Sequence, residues 1–246
     1  MGLSGLGVAC VEDAGGVRHV VKWAVRGGDG VLAPEDLDRV VVEAQHAGLL
    51  AGAVLPVELV DHTRGVLVTP WRGRSVRAWT PALITQSQLV LDQLAAQSVQ
   101  VGGAAADQRI RTFLKKPLGL DELTGVEPGL GRLLAEMAAG ASGLDRCALA
   151  HGDAHPGNWV ELDGALTLID YEWLGLYPPG FDRAFLAAFL GLDGRVLVEG
   201  VPDALVLVGA VAAWLHRASW EVARAPAAFA RRWRPGALEL FLALAS

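Results

Sequence analysis

The segment from Trp159 to Leu168 admits few folds. Two apolar runs, Trp159–Leu162 and Ala165–Leu168, flank the dipeptide Asp163-Gly164. A type I′ turn needs positive φ at both central residues, and Asp followed by Gly is a preferred pair for it. The segment therefore predicts a tight antiparallel hairpin in which Leu162 faces Ala165, Trp159 faces Leu168 and Asn158 faces Ile169. That register makes Asp170 a near neighbour of Asn158. Strict alternation puts their side chains on opposite faces, so they share a site only if the chain leaves the ladder at that point. Pro156-Gly157, just before Asn158, is a suitable place for such a departure.

Polar residues crowd both outer ends of this hairpin: His151, Asp153, His155 and Asn158 before it, Asp170 and Glu172 after it. Taken singly, each reads as a cap or turn residue, or, for His151, as a core histidine with a structural role. Together they form a pattern. Asn158 offers an amide oxygen and Asp170 a carboxylate, hard ligands of the kind that Mg2+ takes one or two at a time, leaving its other positions to water and phosphate. Asp153 stands five positions before Asn158 on the same loop. This is the D-x-x-x-x-N spacing of kinase-type phosphoryl transfer, in which a separate metal-binding Asp follows. His151, Asp153 and His155 are also zinc-ligand types, but no further His or Cys cluster completes such a site.

The rest of the chain reads as two parts. Val8–Val11 and Val17–Val25 are expected strands about the turn Asp13-Ala14-Gly15-Gly16. Pro34, with Glu35 and Asp36 after it, opens a helix that Leu37, Val40, Val41, Ala44 and Ala47 carry to about Leu50. Pro56–Leu59 and Gly65–Thr69 are further short strands. Beyond Pro70-Trp71-Arg72-Gly73 the period is helical, over Leu83–Val101, Gly129–Leu144, Phe181–Leu192 and Asp203–Arg224, with the hairpin as the β element among them. Charge and composition exclude some partners. A net charge of −6 with dispersed basic residues argues against nucleic acid. The apolar run Ala204–Leu215 is too short to cross a bilayer, so no membrane contact is expected. Met1-Gly2-Leu3 lacks the basic flank of a signal peptide, and Cys10 and Cys147 do not make a disulfide framework. The expected location is cytoplasmic.

His151-Gly152-Asp153-Ala154-His155-Pro156-Gly157-Asn158, followed by Leu168-Ile169-Asp170-Tyr171-Glu172, resembles the aminoglycoside phosphotransferase and choline kinase-like family of small-molecule kinases. The resemblance implies an α+β, bilobal fold of protein-kinase type. Residues 1–70 would be a small β-rich nucleotide-binding lobe with one helix, and residues 71–246 a mainly helical lobe carrying the catalytic-site hairpin and the acceptor pocket. Asp153 would be the catalytic base, and Asn158 and Asp170 would hold Mg2+ against the phosphates of ATP or GTP. Asp182 would steady the catalytic loop from a helix start, with His151 in structural support. Lys22, in His19-Val20-Val21-Lys22-Trp23, would contact the α- and β-phosphates, with Glu43 as its partner. A compact cation there offsets phosphate charge that a dry pocket makes costly. Gly5 and Gly7 would form the loop over the phosphates, so close to Met1 that either the strand before it is very short or missing, the true start lies upstream, or the nucleotide lid is impaired. The adenine would rest against the connector from Val68 to Trp71.

The implied partner is a small hydroxylated acceptor, with Glu172 and Trp173 facing it. Trp214, Trp220 and Trp233 read first as core packing, and Arg217, Arg224, Arg231, Arg232 and Arg234 as a solvated helix face. An arginine-rich border would suit a neutral or anionic hydroxyl compound better than a polycationic one. The competing expectation is a catalytically impaired kinase-like scaffold that binds nucleotide without transfer. Oligomeric state has no signature in the sequence.

Overall fold

A computed structural model of the chain describes residues 6–24, 58–61, 63–96, 148–177 and 179–201, together with Val206, Gly209 and Ala213. These residues belong to two compact units. One is the stretch up to Ser75 with Asn158–Leu174, and the other is Val76–Gly157 with the residues from Gly175 onward.

The first unit is built on an antiparallel sheet of β1 (Leu6–Glu12), β2 (Arg18–Ala24), β3 (Leu59–Asp61) and β4 (Val66–Pro70), in the order β1-β2-β4-β3. β2 is therefore central, with Lys22 opposite Val8 on one side and Leu67 on the other. The β1–β2 turn closes because Asp13 Oδ1 accepts the N–H groups of Gly15 and Val17, at 2.8 and 2.9 Å. Asp61 does the same for Thr63 and Arg64 before β4. Of the strand expected over Pro56–Leu59, residues 56 and 57 lie outside the described residues; the strand described is Leu59–Asp61, and this Asx turn sets its end.

A short strand, β5 (Arg74–Ser75), then pairs with β7 (Trp159–Leu162), which pairs in turn with β8 (Ala165–Leu168). The hairpin register is Leu162 opposite Ala165 and Trp159 opposite Leu168. Asp163 and Gly164 have φ of 51° and 79°, as a type I′ turn requires. Gly73 has φ 124°, and a Cβ there would overlap the Glu161 carbonyl. Only glycine permits this approach, and the hairpin pairs with β5 within the first unit.

In the second unit α1 (Pro81–Ala95) starts where Thr80 Oγ1 accepts the Leu83 N–H and Pro81 takes the first turn, two residues before the apolar period begins. It buries Ile84, Ser87, Leu91 and Leu94 along one face. Two short strands, β6 (Ala148–Ala150) and β9 (Gly175–Tyr177), pair antiparallel. They are β elements beside the hairpin that periodicity misses, because three residues hold too little alternation to register. α2 (Phe181–Leu190) stacks Phe181 on Tyr177 and Phe185 on Phe181, with centroids 4.7 and 5.9 Å apart. The helix expected to run to Leu192 gives way at Gly191 (φ 68°) to a 3-10 stretch over Gly191–Val198. Gln88 on α1 and Arg183 on α2 both bond its carbonyls, at Val196 and Leu197. The helices expected over Pro34–Leu50 and Gly129–Leu144 lie outside the described residues. So does all of that over Asp203–Arg224 except Val206, Gly209 and Ala213, which are helical.

Candidate functional site

The hairpin keeps its ladder as far as the Ile169 N–H, which donates to the Asn158 carbonyl at 2.9 Å. On each strand the chain then breaks away. Asn158 closes a 3-10 turn, Pro156–Asn158, and Asp170 takes the left-handed conformation, φ 72° and ψ 65°. A non-glycine residue in that region is uncommon and marks a local constraint. Both ends of the hairpin thus abandon strict alternation at the two residues whose side chains the sequence set on opposite faces. Asn158 is buried. Asp170 meets Lys22 of β2, whose Nζ stands 3.2 Å from its Oδ1. The Lys22 side chain is 12% exposed and that of Asp170 is 35% exposed, so the pair is screened less than a surface ion pair. Residues far apart in sequence, a lysine on a central strand and a carboxylate at a hairpin mouth, meet within one unit. The donor types fit Mg2+: an amide oxygen and a carboxylate that already carries a cationic partner.

The second unit holds the loop before the hairpin, and its backbone is fixed by side chains instead of a sheet. Asp182, in the first turn of α2, accepts the His151 N–H at Oδ2 (2.6 Å) and the Gly152 N–H at Oδ1 (2.9 Å). Burial pushes its carboxyl up to about 6, against the pull of these two bonds. His151, fully buried, accepts the Asp153 N–H at Nδ1, 3.3 Å away. The His155 N–H donates to the Asp153 carbonyl, and the Gly157 N–H to His155 Nδ1, at 2.8 and 2.9 Å. Asp153 itself is buried at 7% exposure, with its Oδ2 3.8 Å from His155 Nε2. Among the described residues no three His, Cys, Asp or Glu side chains converge as metal ligands. His151, Asp153 and His155 therefore do not converge as a zinc-type cluster.

The remaining expected residues are spread about these two clusters. Gly7 lies within β1 opposite Trp23, not in a loop, and a Cβ there would overlap the Trp23 indole. Gly5 and Glu43 lie outside the described residues. Val68 pairs with Val21 and Leu59 in the sheet, and its carbonyl accepts the Glu58 N–H at 2.9 Å. The Trp71 N–H donates to the Arg18 carbonyl, and the Arg18 guanidinium lies 5.2 Å over the Trp71 ring. Glu172 and Trp173 belong to a 3-10 turn, Tyr171–Trp173, directly after Asp170, and the Trp173 side chain is half-buried. The late tryptophans and arginines lie outside the described residues.

A third cluster escaped the sequence reading. His19 Nδ1 meets Glu58 Oε2 at 2.5 Å and its Nε2 meets Asp13 Oδ2 at 3.2 Å, which joins β2, the β1–β2 turn and the entry to β3. Hydrogen bonds to Glu58 and then Asp13 raise the His19 pKa. Only strand register reveals it, since the three residues share no spacing motif.

No protein-family model and no curated protein matches this sequence. Solved structures do. A choline kinase from Streptococcus pneumoniae aligns at 17% identity over 96% of this chain and 90% of its own, with a TM-score of 0.59. For an ethanolamine kinase from Plasmodium vivax the figures are 10%, 100% and 81%, with a TM-score of 0.64. A thermostable mutant of an aminoglycoside phosphotransferase, solved as a ternary complex with ADP and hygromycin B, aligns at 15% over 97% and 92%, with a TM-score of 0.63. At such identities the likeness is one of fold: this chain has the α+β, protein-kinase-like fold of those small-molecule kinases.

Proposed function

We propose that this chain, which shares its fold with choline, ethanolamine and aminoglycoside kinases, transfers the γ-phosphoryl group of ATP or GTP to a hydroxyl of a small molecule. The observation that carries the reading is the meeting of Lys22 with Asp170 at the hairpin mouth. A nucleotide triphosphate needs a cation for its α- and β-phosphates and hard oxygen ligands for its metal, and these two residues supply one of each. Asn158 is the second metal ligand. Mg2+, when bound, neutralises phosphate charge as it develops.

The chain's own residues do the rest. Asp153 accepts the acceptor's hydroxyl proton as the oxygen bonds to the γ-phosphorus and the bond to the bridging β–γ oxygen breaks, releasing ADP or GDP. Asp182 and His151 hold the backbone that carries Asp153, so the base is presented from a buried loop whose N–H groups are already bonded. Such chemistry depends mainly on positioning and electrostatics. Lys22 leaves Asp170 for the phosphates when nucleotide arrives, with Glu43 as its further partner. Gly5 and Gly7 lie beside the phosphates, the connector from Val68 to Trp71 seats the adenine, and Glu172 with Trp173 borders the acceptor. In this reading the strands up to residue 70 form the nucleotide lobe, and the enzyme works in the cytoplasm.

The test is Mg-dependent ATP consumption by the purified chain across a panel of hydroxylated compounds, choline, ethanolamine and aminoglycosides included. Stimulation by one acceptor is expected, with a loss of about 10²–10⁴-fold in turnover for Asp153→Asn and retained Mg·ATP binding. Mg·ATP bound without any acceptor-dependent turnover would turn the reading to the impaired, nucleotide-binding scaffold.

A further inference from the structure

His155 has no part in the function proposed so far, yet its ring is held on both nitrogens and one edge beside the base. Contacts within the second unit hold it in place. The Gly157 N–H donates to Nδ1 at 2.9 Å. The Phe189 ring of α2 lies 5.7 Å away, tilted by 35°, and is itself packed on Phe185. The Asp153 carboxylate faces the other nitrogen, with Oδ2 3.8 Å from Nε2. The ring also lies against the backbone of Gly157, where a Cβ would stand 2.6 Å from Cε1. A side chain at 157 would push the imidazole off its seat.

The hydrogen bond at Nδ1 assigns the tautomer. Nδ1 accepts a backbone N–H, so it carries a lone pair, and the ring proton is on Nε2, the nitrogen turned to Asp153. We propose that His155 is a positioning residue for phosphoryl transfer: its Nε2–H holds the Asp153 carboxylate in the orientation from which it takes the acceptor proton. The inference rests on the assignment of Asp153 as base. At 3.8 Å the contact is longer than a hydrogen bond, and catalytic bonds that are long in an unliganded site tighten on substrate binding. A neutral donor suits the task. It directs one carboxylate oxygen without the full positive charge that a lysine or arginine would bring, and a full charge would depress the basicity Asp153 needs.

Two substitutions separate orienting from scaffolding, because an asparagine amide mimics Nδ1 and a glutamine amide mimics Nε2. His155→Asn keeps an acceptor for the Gly157 N–H and loses the group facing Asp153; His155→Gln does the reverse. Phosphate release from Mg·ATP, with water as the acceptor, is measured for the full chain and both variants. His155→Asn is expected to lower kcat by about 10–100-fold with KM for Mg·ATP within about twofold, and His155→Gln to stay within about fivefold of the parent. Ring-nitrogen NMR gives a readout that needs no turnover. It should show His155 as the Nε2–H tautomer, with a proton shift that moves in Asp153→Asn. An Nδ1–H tautomer, or full activity in His155→Asn with loss in His155→Gln, would overturn the proposal. Should Asp153→Asn itself keep full turnover, the base assignment fails and takes the proposal with it, a result distinct from either outcome at His155.

Discussion

Asp182 serves the loop as an anion but is buried as though it were neutral, and the two demands have opposite pH preferences. Its folded pKa of about 6 lies above the ordinary 3.8. The folded state therefore holds this proton more tightly than the unfolded chain does. Stability from this group is full below about pH 4 and is lost as pH rises to about 6. Compared with Asp182→Asn, which cannot titrate, the parent should lose about 3 kcal/mol across that interval, read from urea midpoints at several pH values. A flat difference would mean that the carboxylate is better solvated than its burial indicates. Only the ionised form offers both oxygens to the His151 and Gly152 N–H groups. Turnover should accordingly rise over the interval in which stability falls. Asp170 poses a different test. Asn tolerates the left-handed region, so Asp170→Asn should keep stability within about 1 kcal/mol while Mg·ATP binding, followed by calorimetry, weakens at least tenfold. Loss of folding instead would show that the ion pair with Lys22 holds the hairpin end in place.

Among the elements, the five-residue passage from Trp71 to Ser75 does most to place the hairpin. Gly73 lets β5 lie against β7 so closely that any Cβ meets the Glu161 carbonyl, and its φ of 124° is strained for every other residue. Gly73→Ala should destabilise the chain by about 2–4 kcal/mol and separate β5 from the hairpin. Hydrogen exchange at Val160 and Glu161 would report the separation, and unchanged protection there would refute it. At the other side of the sheet, His19 clamps the β1–β2 turn to the residue before β3. Its pKa is raised by Glu58 first and Asp13 second, so the clamp stabilises below the ordinary histidine range and is lost as pH rises through the folded value. His19→Asn should be less stable than the parent near pH 6 and equal to it near pH 9, in denaturant midpoints. A gap that persists at pH 9 would assign the effect to packing.

For the molecule as a whole, the reading predicts a ligand linkage. Saturation with Mg·ATP at about 100 times Kd should stabilise the fold by about 2.7 kcal/mol, on the order of 5–10 °C in melting temperature. At the same nucleotide concentration the shift should fall to about half or less in Asp170→Asn and shrink in Lys22→Met. A shift of full size in both variants would place nucleotide elsewhere. The hairpin, its turn and its register were legible in Trp159–Leu168, because Asp-Gly between apolar runs is a local instruction that needs no partner. The β1–β2 turn and the first two strands were legible for the same reason. The bounds of β3 and of α2 were set by an Asx turn at Asp61 and by Gly191, details that hydrophobic period does not encode. β6 and β9 are too short to carry a period, and β5 exists only because β7 lies beside it. What the sequence determined alone was the set of chemical groups and the order in which they lie along the chain: a lysine on a strand, an Asp and an Asn five apart, and an Asp after a hairpin. Which groups meet was decided by the tertiary structure. Lys22 reaches Asp170, Asp182 reaches the loop at His151 and Gly152, and His19 joins two carboxylates, since contacts between distant residues follow from sheet order and burial and leave no spacing in the chain.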